Sequence, residues 1–183
     1  GNIWYFYNAL LPLRDPRYDW QAYLPGNTSD TLWTEYLPFE KLPQIKNPES
    51  GFLQNCNSTP YHTTDGPDNP NPEDYCHSLG IEPPDMMTNR ALRALETYGA
   101  DESITEEEFY AYKYDWYYSE KSHAAGLRAQ ILEEVESDDP VIQEALELLR
   151  NWDMAADPDN TSTAIAILCM EPVVRAQMFG NEV

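Results

Sequence analysis

The chain has 183 residues, of which 42% are hydrophobic and 13% aromatic, so it is too apolar for a wholly disordered protein. Its 11 basic residues face 32 acidic ones, and the formal net charge of −21 argues against nucleic acids and anionic membrane surfaces as partners. No apolar run approaches the ~20 residues that span a bilayer. We therefore expect a folded domain with an acidic, solubilising surface and with neither nucleic acid nor membrane among its partners.

The first 84 residues predict short extended segments joined by turns. Residues 2–9 are apolar on both faces of an extended chain, which predicts a strand covered from two sides. Further extended runs are predicted at residues 33–39 and 51–54. The polar, proline-rich stretch 63–84 predicts a loop without helix or central strand, because proline fixes φ and has no amide hydrogen to donate.

Residues 85–183 predict a series of helices, three of them preceded by a capping residue whose side chain can accept a free backbone N–H. Thr105 and Glu108 match a capping box, and Asp139 precedes a proline at the first helical position. The predicted caps are Asp85 or Thr88, Thr105 and Asp139, and two further helices are predicted to start near Ser122 and Asn160. The predicted fold class is therefore α+β and mostly helical, with a strand- and loop-rich segment at 1–84 and a helical subdomain at 85–183.

Several kinds of site have no support in the sequence. There is no glycine-rich phosphate-binding motif and no GxSxG nucleophile motif. The cysteines match no zinc or redox spacing, so a bridge between Cys56 and Cys76 and three buried thiols both stay open. The histidines form no zinc-ligand pair and lie at positions 62, 77 and 123.

Two conspicuous clusters have simpler explanations than ligand binding. The three glutamates at 106–108 suit the positive end of a helix dipole. The tyrosine- and tryptophan-rich segment 110–118 is typical of core and helix packing, with stacking of a ligand as the alternative.

Residues 51–60 contain the sequence feature that most suggests chemistry. Asn55 and Asn57 lie two apart, on the same side of an extended segment. An asparagine at the end of a strand can aim its amide N–H₂ at an oxygen that is becoming negative. Asparagines before a proline are also common turn formers, so a turn without chemistry is the alternative.

The ordered motifs of the chain resemble the β-chain of the penicillin acylase (penicillin amidase) family of N-terminal-nucleophile hydrolases. They are WTEYLPFE at 33–40, NPESG at 47–51 and GFLQNCNSTP at 51–60, with GNI at 1–3, RDP at 14–16, NR at 89–90 and WD at 152–153. The resemblance covers nearly the whole chain and is strongest over residues 1–95. It implies an internal segment of the family's αββα fold, with a few strands and a helical subdomain.

The resemblance also implies an activity and its residues. Family members hydrolyse N-acyl amides with a serine, exposed by self-cleavage of a precursor, whose own α-amine acts as the base through a water. Asn57 matches the oxyanion-hole asparagine, and Arg90 matches an arginine that orders that asparagine and the substrate. The alternative for Arg90 is a helix-start residue paired with a carboxylate. One structural calcium ion is implied, with the Asp68 carboxylate and the Pro16 carbonyl as ligands and no organic cofactor.

The chain opens directly in a predicted strand, without a signal peptide, which suggests an internal piece of a larger precursor. By resemblance, its partners are the α-chain, the rest of the β-chain and a small N-acyl amide, such as a penicillin or an acyl-homoserine lactone, in a periplasmic or secreted setting. The nucleophilic serine would lie outside this chain, so we expect the chain alone to be inactive. The alternatives are a non-catalytic helical interaction or packing domain, and an acidic calcium-binding extracellular module built on residues 65–74.

Overall fold

The computed structural model describes residues 1–20, 22–75 and 87–179. The helices and strands of these ranges are β1 (Trp4–Phe6), β2 (Gln44–Lys46), α1 (Asn89–Glu96), α2 (Glu106–Lys113), α3 (His123–Glu134), α4 (Pro140–Arg150) and α5 (Thr161–Phe179). The mostly helical α+β composition is thereby confirmed, whereas the αββα fold stays a prediction. The chain divides into two compact units, Gly1–Ser103 and Ile104–Val183.

The first unit is built on short antiparallel contacts. β1 and β2 pair with Tyr5 opposite Ile45, and an isolated bridge joins Pro12 to Tyr36. Of the extended run predicted at 2–9, only the three residues of β1 form a strand, and the run predicted at 33–39 contributes one bridge, at Tyr36. The run predicted at 51–54 forms no strand. Prolines at 12, 38, 43 and 48 explain much of this shortening, because each removes a ladder donor.

The small core of the first unit lies beside this sheet. Leu11 and Leu42 are buried, and the half-buried side chains packed on them are Tyr7, Ala9, Leu37 and Tyr75. Trp4 and Phe6 on β1 are exposed, and their rings contact each other and Phe39 at centroid distances of 5.4–5.7 Å. The predicted cover on both faces of β1 is therefore not present among the described residues of this unit.

Asparagine side chains order the loops of the first unit. Asn47 adopts a φ of 52° and accepts the Ile3 N–H on its Oδ1 at 2.9 Å. Asn69 accepts the N–H groups of Thr63 and Thr64 and donates to the carbonyls of Thr64 and Gly66. Within the described residues 63–75, the predicted loop forms no α-helix or strand, although Pro72–Tyr75 makes one 3₁₀ turn.

Helix α1 belongs to the first unit, although the sequence predicts a helical subdomain from residue 85 onward. Its cap is Thr88, whose Oγ1 accepts the Ala91 N–H, while Asp85 lies outside the described residues. After α1 the chain passes close to Phe52: a Cβ on Gly99 would lie 2.7 Å from the Phe52 ring. Glycine is therefore required where α1 ends against the 51–54 segment.

The second unit is a helical cluster whose helix starts follow the predicted signals. Thr105 forms the complete capping box with Glu108, and Ser122 and Asp139 cap α3 and α4. Helix α4 packs on α3 and α5 around the buried residues Ala125, Leu149, Trp152, Met154 and Ala166. None of the described helices is long and apolar enough to cross a membrane.

The aromatic segment of the second unit departs from the packing interpretation. Tyr118 contacts Trp152 with a centroid distance of 5.5 Å, and its N–H donates to the Met154 carbonyl at 2.7 Å. Other aromatic side chains of the segment are exposed, namely Tyr110, Tyr114, Trp116 and Tyr117. These four residues therefore belong to no core of the described residues, and their packing against other parts of the protein stays a prediction.

We expect the substitution Leu149→Ala to lower the free energy of unfolding by about 2–5 kcal/mol, because it leaves a cavity at a side chain that is 2% exposed. Leu168→Ala is the matched control, since the same atoms are removed where the side chain is 68% exposed, and it should change stability by no more than about 0.5 kcal/mol. Urea unfolding followed by circular dichroism measures both, and equal losses would contradict this assignment of the core.

Candidate active site

The backbone turn at residues 55–58 is held by the buried side chain of Gln54. Its Oε1 accepts the Cys56 N–H at 3.1 Å, and its Nε2 donates to Ser58 Oγ at 3.2 Å and to the His62 carbonyl at 2.6 Å. The Gln54 backbone N–H also donates to the Thr63 carbonyl at 2.8 Å. One side chain therefore ties the turn to the segment that follows it.

Asn57 occupies an unusual backbone conformation within this turn. Its φ is 56°, in the left-handed region that asparagine tolerates better than most residues. The Asn55 Oδ1 accepts the Asn57 N–H at 3.2 Å, which closes an Asx turn. The direction of the exposed Asn57 side chain is thus set by a backbone that its neighbours hold in place.

The start of α1 is bonded directly to this turn. Thr88 Oγ1 donates to the Cys56 carbonyl at 2.7 Å while it accepts the Ala91 N–H at 3.2 Å. Arg90 Nη2 donates to Asn57 Oδ1 at 2.7 Å and, at 3.5 Å, to the Cys56 carbonyl. The structure therefore brings together Asn57 and Arg90, which are 33 residues apart in the chain.

The contact with Arg90 fixes which end of the Asn57 carboxamide is available. A guanidinium only donates hydrogen bonds, so the atom that it contacts must be the amide oxygen. Nδ2 then keeps both of its hydrogens, and no acceptor in the described part of the chain takes them. Asn57 thus presents an exposed N–H₂ donor, and the contact between its amide oxygen and Arg90 sets the orientation of that donor.

The turn considered as the alternative for Asn55 and Asn57 is present, whereas the carboxylate considered as the alternative partner of Arg90 is not found among the described residues. Arg90 bonds the Asn57 amide oxygen, and no carboxylate of the described residues pairs with it. Asn55 serves the turn itself, while Asn57 offers a free donor. Sequence reasoning missed Gln54 altogether, and it found Thr88 only as a helix cap. No local sequence pattern indicates the hydrogen bond from the Thr88 hydroxyl to the Cys56 carbonyl, because that bond depends on where the turn lies in space.

The predicted calcium ligands do not form a complete site in the described residues. Asp68 Oδ2 accepts the Glu49 N–H at 2.7 Å, and Pro16 lies in an exposed turn next to the Asp15–Arg17 ion pair. No group of three or more histidine, cysteine or acidic side chains that could hold a metal occurs within the described ranges. The two oxygens predicted as ligands, from Asp68 and Pro16, fall short of the six to eight that calcium takes. The calcium site therefore stays a prediction.

The buried Tyr61 lies just after the turn and contacts the half-buried Tyr75. The rings of Tyr61 and Tyr75 have centroids 6.3 Å apart. Burial, followed by the nearby hydroxyls of Tyr75 and Tyr7, raises the pKa of Tyr61 to about 12.

Cys56 carries a free thiol, while Cys76 lies outside the described residues, so a bridge between them stays untested.

Comparison with known proteins shows similarity both to a family model and to curated proteins. The family model described as penicillin amidase matches residues 1–182. Among curated proteins, "Penicillin G acylase" from Escherichia coli is 38% identical over 60 residues, which are 33% of this chain and 7% of that protein. The chain thus aligns with far less than two thirds of this relative's length.

We expect the Tyr61 hydroxyl to make folding sensitive to high pH. The pKa of Tyr61 in the folded chain lies above the ordinary value of 10.0, so its contribution to stability is complete below pH 10 and is lost as the pH rises towards about 12. Urea unfolding between pH 9 and 12 should show a smaller loss for Tyr61→Phe than for the parent chain. Tyr23→Phe, at a fully exposed position, should match the parent, and indistinguishable pH profiles for all three would refute the assignment.

We expect this chain to bind calcium no more tightly than about 1 mM, because two oxygen ligands are too few for a tight site. Calorimetric titration with calcium chloride measures this, and Asp68→Asn is the matched variant because its amide oxygen can still accept the Glu49 N–H. Calcium binding with a micromolar dissociation constant in the parent chain, lost in Asp68→Asn, would show that the chain carries the site by itself.

Proposed function

The chain belongs to the penicillin amidase family, and we propose that it forms part of an acylase-type hydrolase that cleaves linear N-acyl amides. The observation that carries the proposal is the 2.7 Å contact between Arg90 and Asn57, which leaves the Asn57 N–H₂ free to donate. The aligned segment covers only 7% of the acylase from Escherichia coli. The activity of the whole protein is therefore part of what we propose.

In this proposal, Asn57 stabilises the oxyanion of the tetrahedral intermediate. When a nucleophile attacks the amide carbonyl, negative charge grows on the carbonyl oxygen, and a donor already aimed at it stabilises the transition state more than the substrate. The left-handed backbone at Asn57 and the Asn55 bond support such preorganisation. A donor on a freely rotating side chain would first have to reorient at the expense of rate.

Arg90 acts through Asn57 as a positioning residue. By holding Oδ1, the guanidinium prevents the carboxamide from flipping its oxygen towards the developing negative charge. Its positive charge also polarises the amide, which makes the Nδ2 hydrogens better donors. Thr88 supports the same arrangement by anchoring the Cys56 carbonyl one residue earlier.

The nucleophile in this proposal is a serine outside these 183 residues, exposed when a precursor cuts itself. Its hydroxyl proton passes to its own α-amine through a water while its oxygen attacks the amide carbon. Collapse of the tetrahedral intermediate, with the proton passed from the α-ammonium to the leaving nitrogen, releases the amine and leaves an acyl-serine, which water hydrolyses to the free acid. Penicillins and acyl-homoserine lactones are the proposed substrates, the rest of the precursor is the proposed partner, and the proposed setting is the periplasm or the cell exterior.

A second candidate function is a non-catalytic interaction domain. The exposed rings of Tyr110, Tyr114 and Trp116 in the second unit favour it, because large aromatic side chains are enriched at protein interfaces. This candidate assigns no chemistry to Asn57, so substitutions at that residue separate the two functions.

We expect Asn57→Ala, in the protein expressed from the complete reading frame, to lower kcat by about 10²–10³ with a smaller effect on KM. Asn57→Asp is the sharper variant, because it keeps the contact with Arg90 and replaces the N–H₂ donor by an acceptor; it should lose as much. Asn27→Ala removes an exposed carboxamide from another turn and should leave the rate unchanged. Release of the amine product from penicillin V and from an N-acyl-homoserine lactone measures the rates.

Two results would contradict the proposed function. One is an Asn57→Asp protein as active as the parent, which would limit Asn57 to a structural role. The other is a complete protein that cleaves neither substrate class. We further expect the 183-residue chain alone to turn over neither substrate, and turnover that Asn57→Ala abolishes would place the nucleophile within this chain.

A further inference from the structure

Arg14 lies between two tryptophan side chains of the first unit. Its Cζ is 5.2 Å from the centroid of the Trp20 ring and 5.1 Å from that of the Trp33 ring. The antiparallel bridge between Pro12 and Tyr36 explains part of this geometry, because it aligns the backbone before Arg14 with the backbone after Trp33. The planar cation therefore occupies a slot with an indole at each side.

The two walls of this slot differ in their hydrogen bonding and in their exposure to solvent. The Trp20 indole Nε1 donates to the Asp15 carbonyl at 2.8 Å, and its ring contacts Tyr18 edge-on. The Trp33 side chain is 54% exposed. One wall is thus fixed by the chain, and the other borders solvent.

The guanidinium of Arg14 has no anionic partner within the described residues. Its Nε is buried and finds no acceptor there, although buried donors are normally bonded. Two acids of the same segment are engaged elsewhere, since Asp15 and Asp30 both pair with Arg17. In a chain with 32 acidic residues, an arginine that no described carboxylate reaches needs an explanation.

We propose that Arg14, Trp20 and Trp33 form a binding site for a carboxylate group. The N–H groups of a guanidinium lie in one plane and match the two oxygens of a carboxylate. The flanking indoles hold that plane and reduce its hydration, which strengthens the attraction of an anion. A single carboxylate is favoured over a polyanion, because the net charge of −21 repels phosphate chains and nucleic acids.

The carboxylate can belong to a free organic acid or to an acidic side chain of a polypeptide. Both present the same two oxygens to Arg14, so the site is defined by the group and not by its source. This inference does not rest on the acylase proposal, since none of the residues in the slot takes part in the chemistry assigned to Asn57.

Nuclear magnetic resonance titration of the 183-residue chain with sodium acetate tests the site. The signals of the Arg14 Nε–H and of the Trp20 and Trp33 indole N–H groups should shift and saturate, whereas sodium chloride at equal ionic strength should not reproduce the shifts. Arg14→Gln should abolish saturation in the indole signals. Arg150→Gln is the matched control, since it removes an exposed arginine that pairs with Glu147, and should leave the indole shifts unchanged.

A second variant covers the case in which Arg14→Gln does not fold. Arg14→Lys keeps the charge but lacks the planar fork, so acetate should bind at least about tenfold more weakly. Replacing acetate by N-acetylglutamate α-amide, whose carboxylate is the side chain, separates the sources: tighter binding assigns the site to a polypeptide, and equal or weaker binding assigns it to a free acid. Non-saturating shifts, shifts equal to those in chloride, or saturation that persists in Arg14→Gln would overturn the proposal.

Discussion

The candidate site depends on the hydrogen bonds between the first turn of α1 and the turn at residues 55–58. The Thr88 hydroxyl donates to the Cys56 carbonyl and accepts the helix N–H of Ala91, so one group both caps the helix and anchors the turn. Arg90 follows two residues later and reaches Asn57 because the helix begins where it does. Formation of α1 and assembly of the site are therefore coupled through a cap of the kind that contributes about 1 kcal/mol to stability.

The scarcity of cations gives each arginine an identifiable task. Arg93 pairs with Glu96, while Arg17, Arg150 and Arg175 form exposed ion pairs, which contribute little to stability. Arg128 instead donates to the carbonyls of residues 149 and 150 at the end of α4, where a positive charge interacts favourably with the negative end of the helix dipole. Arg90 orders a carboxamide and Arg14 lies between indoles. Cations are thus used for orientation as well as for neutralising the acidic surface.

Local signals in the sequence predicted the helices better than the strands. A cap such as Ser122 or Asp139 acts on backbone groups two or three residues away, so its effect can be read from the neighbouring sequence. A strand needs a partner from elsewhere in the chain, and residues 51–54 have the composition of a strand without such a partner. The prediction of which side chains are buried fails for the same reason, as the exposed tyrosines and tryptophan of residues 110–117 show.

The sequence by itself determined where the helices begin, how acidic the surface is, and, through its ordered motifs, the family and the candidate asparagine. The tertiary structure decided that Arg90 holds the oxygen of Asn57, that Gln54 is buried under the turn, and that Arg14 lies between Trp20 and Trp33. These contacts join residues separated by up to 33 positions. They depend on the path of the whole intervening chain, which no local pattern of residues specifies.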